Sequence, residues 1–413
     1  MRLYARGAAA LIFAVCLVPC LQCGSTGSQI FGQTADWQRR TVNGSANVRP
    51  TVVQIFDFDG DGKPDIVAGY EGSSAAPPSV FIFFQTDVDN WVAVQIGIGA
   101  ELGGITALAL GDLDADGHTD VVAACNGSLR YLHSPADPRS AAGWTVTAIA
   151  NSNDSGVGQW SDAVIGNIDS ANGLDIVASN STKNWLSWFV NPGNAANGTG
   201  WTRVQIDAGS RTGSAAVAID DVDADGRNDV VSSAPGETSA RIAWYKNPTD
   251  PVNGTWTKSA IGNQPGAARI AIGDLNVDGR NDVVVINGPG KTVGWYLHPA
   301  TATSTWTGYL LTQFVNPAQS PPAPDDVKVA FINADQQPDV VIGTKTPGRL
   351  RWFLPVGTQI NLWGENNVRD LSEDVGRIAV ADINGDGKPD IVASLRASTA
   401  DQDSIAWFQN PGF

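Results

Sequence analysis

A nine-residue acidic segment recurs seven times along this chain, its starts 55, 55, 54, 53, 57 and 51 residues apart. Turn chemistry alone does not generate so regular a period; it marks an array of similar units, each packed on its neighbours. The first copy places Asp57, Asp59, Asp61 and Asp65 at positions one, three, five and nine, with Gly62 at position six. Asp112, Asp114, Asp116 and Asp120 follow in the second copy, and Asp221, Asp223, Asp225 and Asp229 in the fourth. The fifth has Asp274, Asn276, Asp278 and Asp282, and the seventh Asp382, Asn384, Asp386 and Asp390. Two copies depart: the third has Ala171 at position five and an irregular register around Gly173, and the sixth opens on Phe331 and has Gln336 in place of Gly.

Each copy lies between strand-like runs. Alternating segments such as Ile105–Leu110 precede it, and β-branched runs such as Asp282–Ile286 follow. A third strand carries paired aromatics, as at Trp188-Phe189 and Trp244-Tyr245, and a fourth begins at Trp91, Trp144, Trp201, Trp256 or Trp306. Four short strands per period of about fifty residues describe a propeller blade. The fold expected is all-β: a seven-bladed β-propeller of four-stranded blades over residues 37–413. The seventh unit stops after its third strand, and an orphan Trp-led strand stands at Trp37–Val42. That strand is expected to complete the last blade and close the ring, which leaves no unpaired edge. The fourth strand of unit six is expected near Thr358–Trp363.

Carboxylates at alternate positions converge when a glycine turns the chain back, and clustered carboxylates repel unless a cation sits among them. Oxygen-only donors without His or Cys select a hard cation, and flexible carboxylates with a backbone carbonyl suit Ca2+ better than Mg2+. The Asn residues of copies five and seven still offer oxygen. The expectation is five calcium sites, in copies one, two, four, five and seven, and none in copies three and six. The alternative is a bare Asp/Gly turn at each copy.

These residues carry a resemblance. With one loop such as Asp57–Asp65 or Asp382–Asp390 per blade, and turns such as Trp244–Pro248, the chain resembles the FG-GAP or VCBS-repeat propellers, the group that includes the integrin α-subunit head. The resemblance covers nearly all of residues 37–413. It implies calcium within the blades on one side of the ring. Such propellers serve as adhesion heads, lectins and parts of polysaccharide-acting enzymes, so it implies no single function.

Met1–Cys23 reads as an export signal: Arg2 and Arg6 precede an apolar stretch, Ala8–Val18, that is short for a membrane span. A transmembrane anchor is the competing reading. Cys20 and Cys23 each end a stretch with a faint likeness to a lipoprotein cleavage box, with Pro19 and Gln22 where a small residue belongs. Residues 24–36 read as a flexible lead-in. The mature chain is expected outside the cell, in a periplasm or tethered at an outer surface. A net charge of −16 argues against nucleic acid and anionic membrane as partners.

No catalytic constellation emerges. His118 falls inside the second acidic segment, and His133 and His298 are read at the turn position that carries Asn191, Asn247 and Asn410 elsewhere. Cys125 reads as an inert core thiol. Trp160 alone breaks the aromatic register. With Asp162 it is the candidate ligand contact, on a face where Arg49, Arg269, Asp326 and Arg377 hold comparable places; a Trp that merely covers a loop is the plainer reading. Three functions follow: a monomeric, non-catalytic binding or adhesion module for an extracellular glycan or protein; a calcium-dependent carbohydrate-active enzyme of lyase type; or a scaffold without a small ligand.

Overall fold

The computed structural model describes residues 29–30, 36–43 and 49–413, except 75, 150–157, 194, 196–197, 315–320, 358 and 400–401. The expected export signal and nearly all of the lead-in lie outside the described residues.

Seven antiparallel sheets form seven blades. Blade four is representative: Ala216–Asp220 lines the axis, Asp229–Ser233 and Ile242–Lys246 follow outward, and Thr257–Gly262 forms the rim. The innermost strand of each blade touches that of the next, and the seventh, Asp374–Ala381, touches the first, Pro50–Phe56. The ring closes as the sequence implies: Gln38–Asn43 pairs antiparallel with Ser404–Gln409 and supplies the outer strand of blade seven. Blade six departs from the pattern. Its outer strand spans Gln359–Leu371, well beyond the expected segment, and Gln29–Ile30 adds a short parallel pairing to it.

The core explains the composition of the second strands. Asp65–Tyr70, Asp175–Asn180 and Asp282–Asn287 are buried at every residue, because blades cover both faces of these strands. Runs such as Asp-Val-Val-Val-Ile therefore show no polar alternation. The buried apolar residues fall into seven clusters, one at each interface between consecutive blades. Aromatic side chains bridge these interfaces: Trp188 of blade three meets Trp256 of blade four, and Trp295 of blade five meets Trp363 of blade six. Cys125 is fully buried between blades one and two, and burial pushes its thiol up to about 12, so it stays protonated and inert. Among the described residues no helix is long and apolar enough to cross a membrane.

Trp37 precedes the closing strand. It is 1% exposed, packs in the cluster between blades six and seven, and lies 6.1 Å from the ring of Phe413. Trp37→Ala is expected to lower the unfolding free energy by about 3–5 kcal/mol, the range for truncating a buried Trp. The midpoint of urea denaturation measures it, and a loss under about 1 kcal/mol would contradict this role in closure.

Candidate functional site

The acidic segments are the hairpin loops between the innermost and second strands. Their backbone explains the residue pattern. Position six is left-handed: φ is 84° at Gly62, 90° at Gly117, 85° at Gly226, 83° at Gly279 and 82° at Gly387. A Cβ at these glycines would meet nothing within 4 Å, so conformation and not space requires them. Gln336 adopts the same turn, at φ 63°, which means that loop six keeps the backbone while losing the residue. Position four is also left-handed in several loops, at Ala115, Ala224 and Val277. Position one holds the turn together. Asp112 accepts the N–H groups of Asp116 and Gly117, and Asp221, Asp274 and Asp382 repeat the arrangement.

The carboxylate oxygens of Asp57, Asp59 and Asp61 lie within 4.8 Å of one another, as do those of Asp221, Asp223 and Asp225, and of Asp112, Asp114 and Asp120. In loops five and seven, Asn276 and Asn384 donate to Asp278 and Asp386 at 2.9 and 3.3 Å. Neighbouring cations lean on the same acids: Lys63 on Asp61, Arg227 and Lys246 on Asp225, and Lys388 on Asp386. The side chain at position seven thus turns back onto position five in loops one, four and seven.

Position nine is the only acidic residue present in all seven copies, and its role is separate. Asp65, Asp120, Asp175, Asp229, Asp282, Asp339 and Asp390 are completely buried. In Asp65 one oxygen accepts the N–H of Phe58 at 3.0 Å and the other that of Gln85 at 2.8 Å. The same clamp recurs at Asp120, Asp175, Asp282 and Asp390. It ties the loop to the end of the third strand, and it persists in loop three, where the metal-type pattern is broken. Burial, reinforced by the loop acids, pushes Asp65, Asp229 and Asp282 up to about 7 and Asp339 to about 8. A cation among these carboxylates offsets that penalty.

The fit to a hard cation is best seen in loop four. Asp229 keeps one oxygen, Oδ2, buried without a partner, and Asp223 Oδ1 is in the same state. Each buried acceptor of this kind calls for a donor or a metal. The donor set is all oxygen, which is the chemistry of calcium and not of zinc.

A second recurring device went unread in the sequence. The residue after the third strand reaches back to the preceding blade. Asn191 donates to Leu113 O, Asn247 to Ile168 O and Asn410 to Ile332 O, at 2.7–2.8 Å. Gln85 reaches Ile383 O at 2.9 Å, which joins blade one to blade seven. His298 Nε2 lies 2.8 Å from Val222 O and so takes the same place. Each accepting carbonyl belongs to position two of a loop. The signal was the Asn before Pro in the Trp-led turns, but Gln85 and His298 hide it. His133 is not the equivalent residue: pairing of Leu132 with Val121 puts it one position earlier, where Nε2 lies 2.9 Å from Asp114. Ser134 stands at the amide position in blade two, and Pro355 in blade six.

The candidate ligand pair separates. Trp160 is 1% exposed, packed between blades two and three with its ring 5.5 Å from Phe189. It offers no free face to a ligand. Asp162 instead faces the axis. A register shift before it, as before Arg269 and Asp326, re-aims the side chain. Asp162, Arg269, Asp326 and Arg377 share one register position and meet across the channel. Arg269 lies 3.7 Å from Asp162, and Arg377 lies 3.5 Å from Asp326 and donates to Thr106 O at 3.0 Å. The cavity they leave with Lys328 is about 130 Å³, below the roughly 300 Å³ at which small-molecule sites begin. The Arg269–Asp162 pair and the Arg377–Thr106 hydrogen bond link non-adjacent blades, whereas Arg377–Asp326 joins neighbours; Arg49 is exposed.

Fold and loops together define a class: a seven-bladed β-propeller with one acidic hairpin loop in every blade. The chain carries FG-GAP-like repeats: the model of the FG-GAP-like repeat family matches residues 57–123, 221–285 and 332–393. No curated protein matches its sequence. Among solved structures it is similar to an Agrocybe aegerita lectin that recognises non-reducing terminal N-acetylglucosamine, with a TM-score of 0.56 at 15% identity, over 89% of this chain and 87% of that one. The β-propeller domain of Myceliophteria thermophila Cps50 (Swd1) gives a TM-score of 0.54 at 11% identity, over 89% and 99%. The Dos1 propeller gives 0.51 at 10%, over 83% and 75%. At these identities the likeness is one of fold.

Asn247→Ala and Asn410→Ala each leave buried carbonyls unpaired and are expected to lower stability by about 1–3 kcal/mol. Ser134→Ala, at the position where the bond is missing, should change it by under about 0.5 kcal/mol. Denaturation midpoints of the three variants test this, and equal effects would contradict it.

Proposed function

We propose that this chain is an exported, calcium-stabilised β-propeller that acts as a non-catalytic binding module. The observation that carries the calcium reading is loop four, where the carboxylates of Asp221, Asp223 and Asp225 converge and Asp223 Oδ1 is buried without a partner. Asp221, Asp223, Asp225 and Asp229 would hold the ion there. Equivalent sets would be Asp57, Asp59, Asp61 and Asp65 in loop one, and Asp112, Asp114, Asp116 and Asp120 in loop two. Asp274, Asn276, Asp278 and Asp282 would serve loop five, and Asp382, Asn384, Asp386 and Asp390 loop seven. The ion supplies positive charge to a cluster that otherwise repels itself, and it stiffens loops whose position-two carbonyls join neighbouring blades.

Export is supported by Arg2, Arg6 and the apolar Ala8–Val18 stretch, and by the millimolar calcium outside cells that suits exposed loops of this kind. A binding role is supported by what the titratable groups already do. His298 holds an inter-blade contact, His133 pairs with a loop aspartate, and the channel acids are held by arginines and backbone N–H groups. The lectin among the structural neighbours makes a glycan the first ligand class to test.

Calcium titration followed by calorimetry should show about five ions bound. At a hundredfold excess over Kd each ion adds about 2.7 kcal/mol, so excess chelator should lower Tm by more than about 10 °C. Asp223→Ala should remove one ion from the stoichiometry. An unchanged melting curve in chelator would defeat the calcium reading.

A further inference from the structure

Blade six is where the repeat breaks most. Phe331 replaces the first loop acid, Gln336 replaces the glycine, and Pro355 removes the amide donor that reaches back to the preceding blade. At the same blade a cavity of about 580 Å³ opens against blade seven, inside the roughly 300–1,000 Å³ range of small-molecule sites. Trp352, Leu354, Pro355 and Phe413 contribute its apolar wall, and Asn366 also lines it. Asn333 and Asp335, on the loop that has lost the metal pattern, hold its edge.

Asn366 is the unusual member. It is 3% exposed, and both its amide nitrogen and its amide oxygen are buried without a partner. The unpaired Trp nitrogens of this fold recur from blade to blade, whereas Asn366 is the only Asn with both amide atoms unpaired among the described residues. It stands opposite Trp352 in the sheet. In blade five the residue at that place is Tyr309, which stacks on Trp295 at 5.1 Å; in blade seven it is Arg40, whose guanidinium covers Trp407 at 5.4 Å. Trp352 has no such cover from Asn366. Its ring contact is the C-terminal Phe413, 5.3 Å away and tilted.

We propose that this cavity binds a neutral saccharide unit, with an apolar ring face against the Trp352–Phe413 wall and a hydroxyl or acetamido group on Asn366. The inference rests on the reading of the chain as a binding module and names its site. Three features select the ligand class. No cation lines the cavity, and its one charged group is the carboxylate of Asp335, so anionic ligands are disfavoured. The buried amide offers one donor direction and one acceptor direction together, which a hydroxyl or a secondary amide satisfies and a hydrocarbon does not. An apolar aromatic wall beside a few fixed polar groups is the arrangement that receives the C–H face of a sugar ring while pairing its hydroxyls. Asn333 Nδ2 already donates to Asp335 Oδ2 at 3.1 Å, which fixes that carboxylate as an acceptor at the rim.

The test uses the full-length exported chain with calcium present, on an array of neutral glycans and in solution with methyl glycosides of glucose, galactose, mannose and N-acetylglucosamine. Binding of a neutral glycan should fall at least tenfold in Asn366→Leu. That variant should melt at the same temperature as the parent or higher, because it removes a buried amide that nothing in the protein satisfies. Asp335→Ala should weaken binding severalfold without a change in Tm. Glycan binding that survives Asn366→Leu unchanged would place the ligand elsewhere and overturn this site while leaving the binding-module reading standing. A parent protein that is folded and calcium-loaded but binds no neutral glycan would overturn the ligand class. A large fall in Tm for Asn366→Leu with binding intact would assign Asn366 to the fold and overturn the inference as well. Uptake of an apolar dye without any saccharide binding would do the same, by giving the cavity to an apolar partner.

Discussion

The peptide group at position two of each acidic loop is the joint on which the ring depends. In six of the seven loops its N–H is clamped by the buried aspartate at position nine, as Leu113 is by Asp120 and Ile168 by Asp175; Val222 is the exception. In five loops its carbonyl receives an amide or imidazole from the following blade, as Ile168 does from Asn247 and Val222 from His298. Its side chain is buried: Phe58, Leu113, Ile168, Val222, Leu275, Ile332 and Ile383. In loops two, three and seven one residue therefore links the loop, the third strand and the next blade. Charged-group hydrogen bonds in a dry environment are stronger than neutral ones and expensive to leave unmade. The ninth aspartate accordingly persists in loops three and six, which keep only one other acid each, Asp169 and Asp335.

This joint explains why calcium matters to the account without being needed for the topology. The sheets, the seven interface clusters and the closing strand at Gln38–Asn43 define the ring by themselves. The loop acids at positions one, three and five lie outside that framework, on exposed turns, and they concentrate negative charge beside an already buried carboxylate. The proposed ion would fix the loop from the solvent side while the ninth aspartate holds it from the core side. On the axis, Arg269 reaches Asp162 and Arg377 reaches Thr106 O, joining blades that are not neighbours.

Most of the architecture was legible because periodicity encodes it. The seven loops, the β-branched second strands and the Trp-led outer strands all recur in register, and Trp37–Val42 could be recognised as the missing outer strand of the seventh blade. What escaped has a physical reason in each case. Gln85 and His298 perform the same contact as Asn247 with different chemistry, so no residue identity marks them. Position nine reads in the sequence only as a metal ligand, and its backbone clamp is missed there, because both roles use the same side chain. Trp160 broke the pattern, which suggested exposure, but a register shift after it leaves its ring in the core and sends Asp162 to the axis. The blade-six cavity was invisible because its key feature, an unpaired Asn366, is defined only by what surrounds it.

Function divides along the same line. Residues in register maintain the propeller, and the departures concentrated in blade six open a cavity. The direct measurement of the central claim is native-state hydrogen exchange at the position-two amides, with and without calcium. Calcium should raise protection at Phe58, Leu113, Val222, Leu275 and Ile383, and leave Ile168 and Ile332 of the two altered loops nearly unchanged. Equal protection at all seven amides in both conditions would contradict the account.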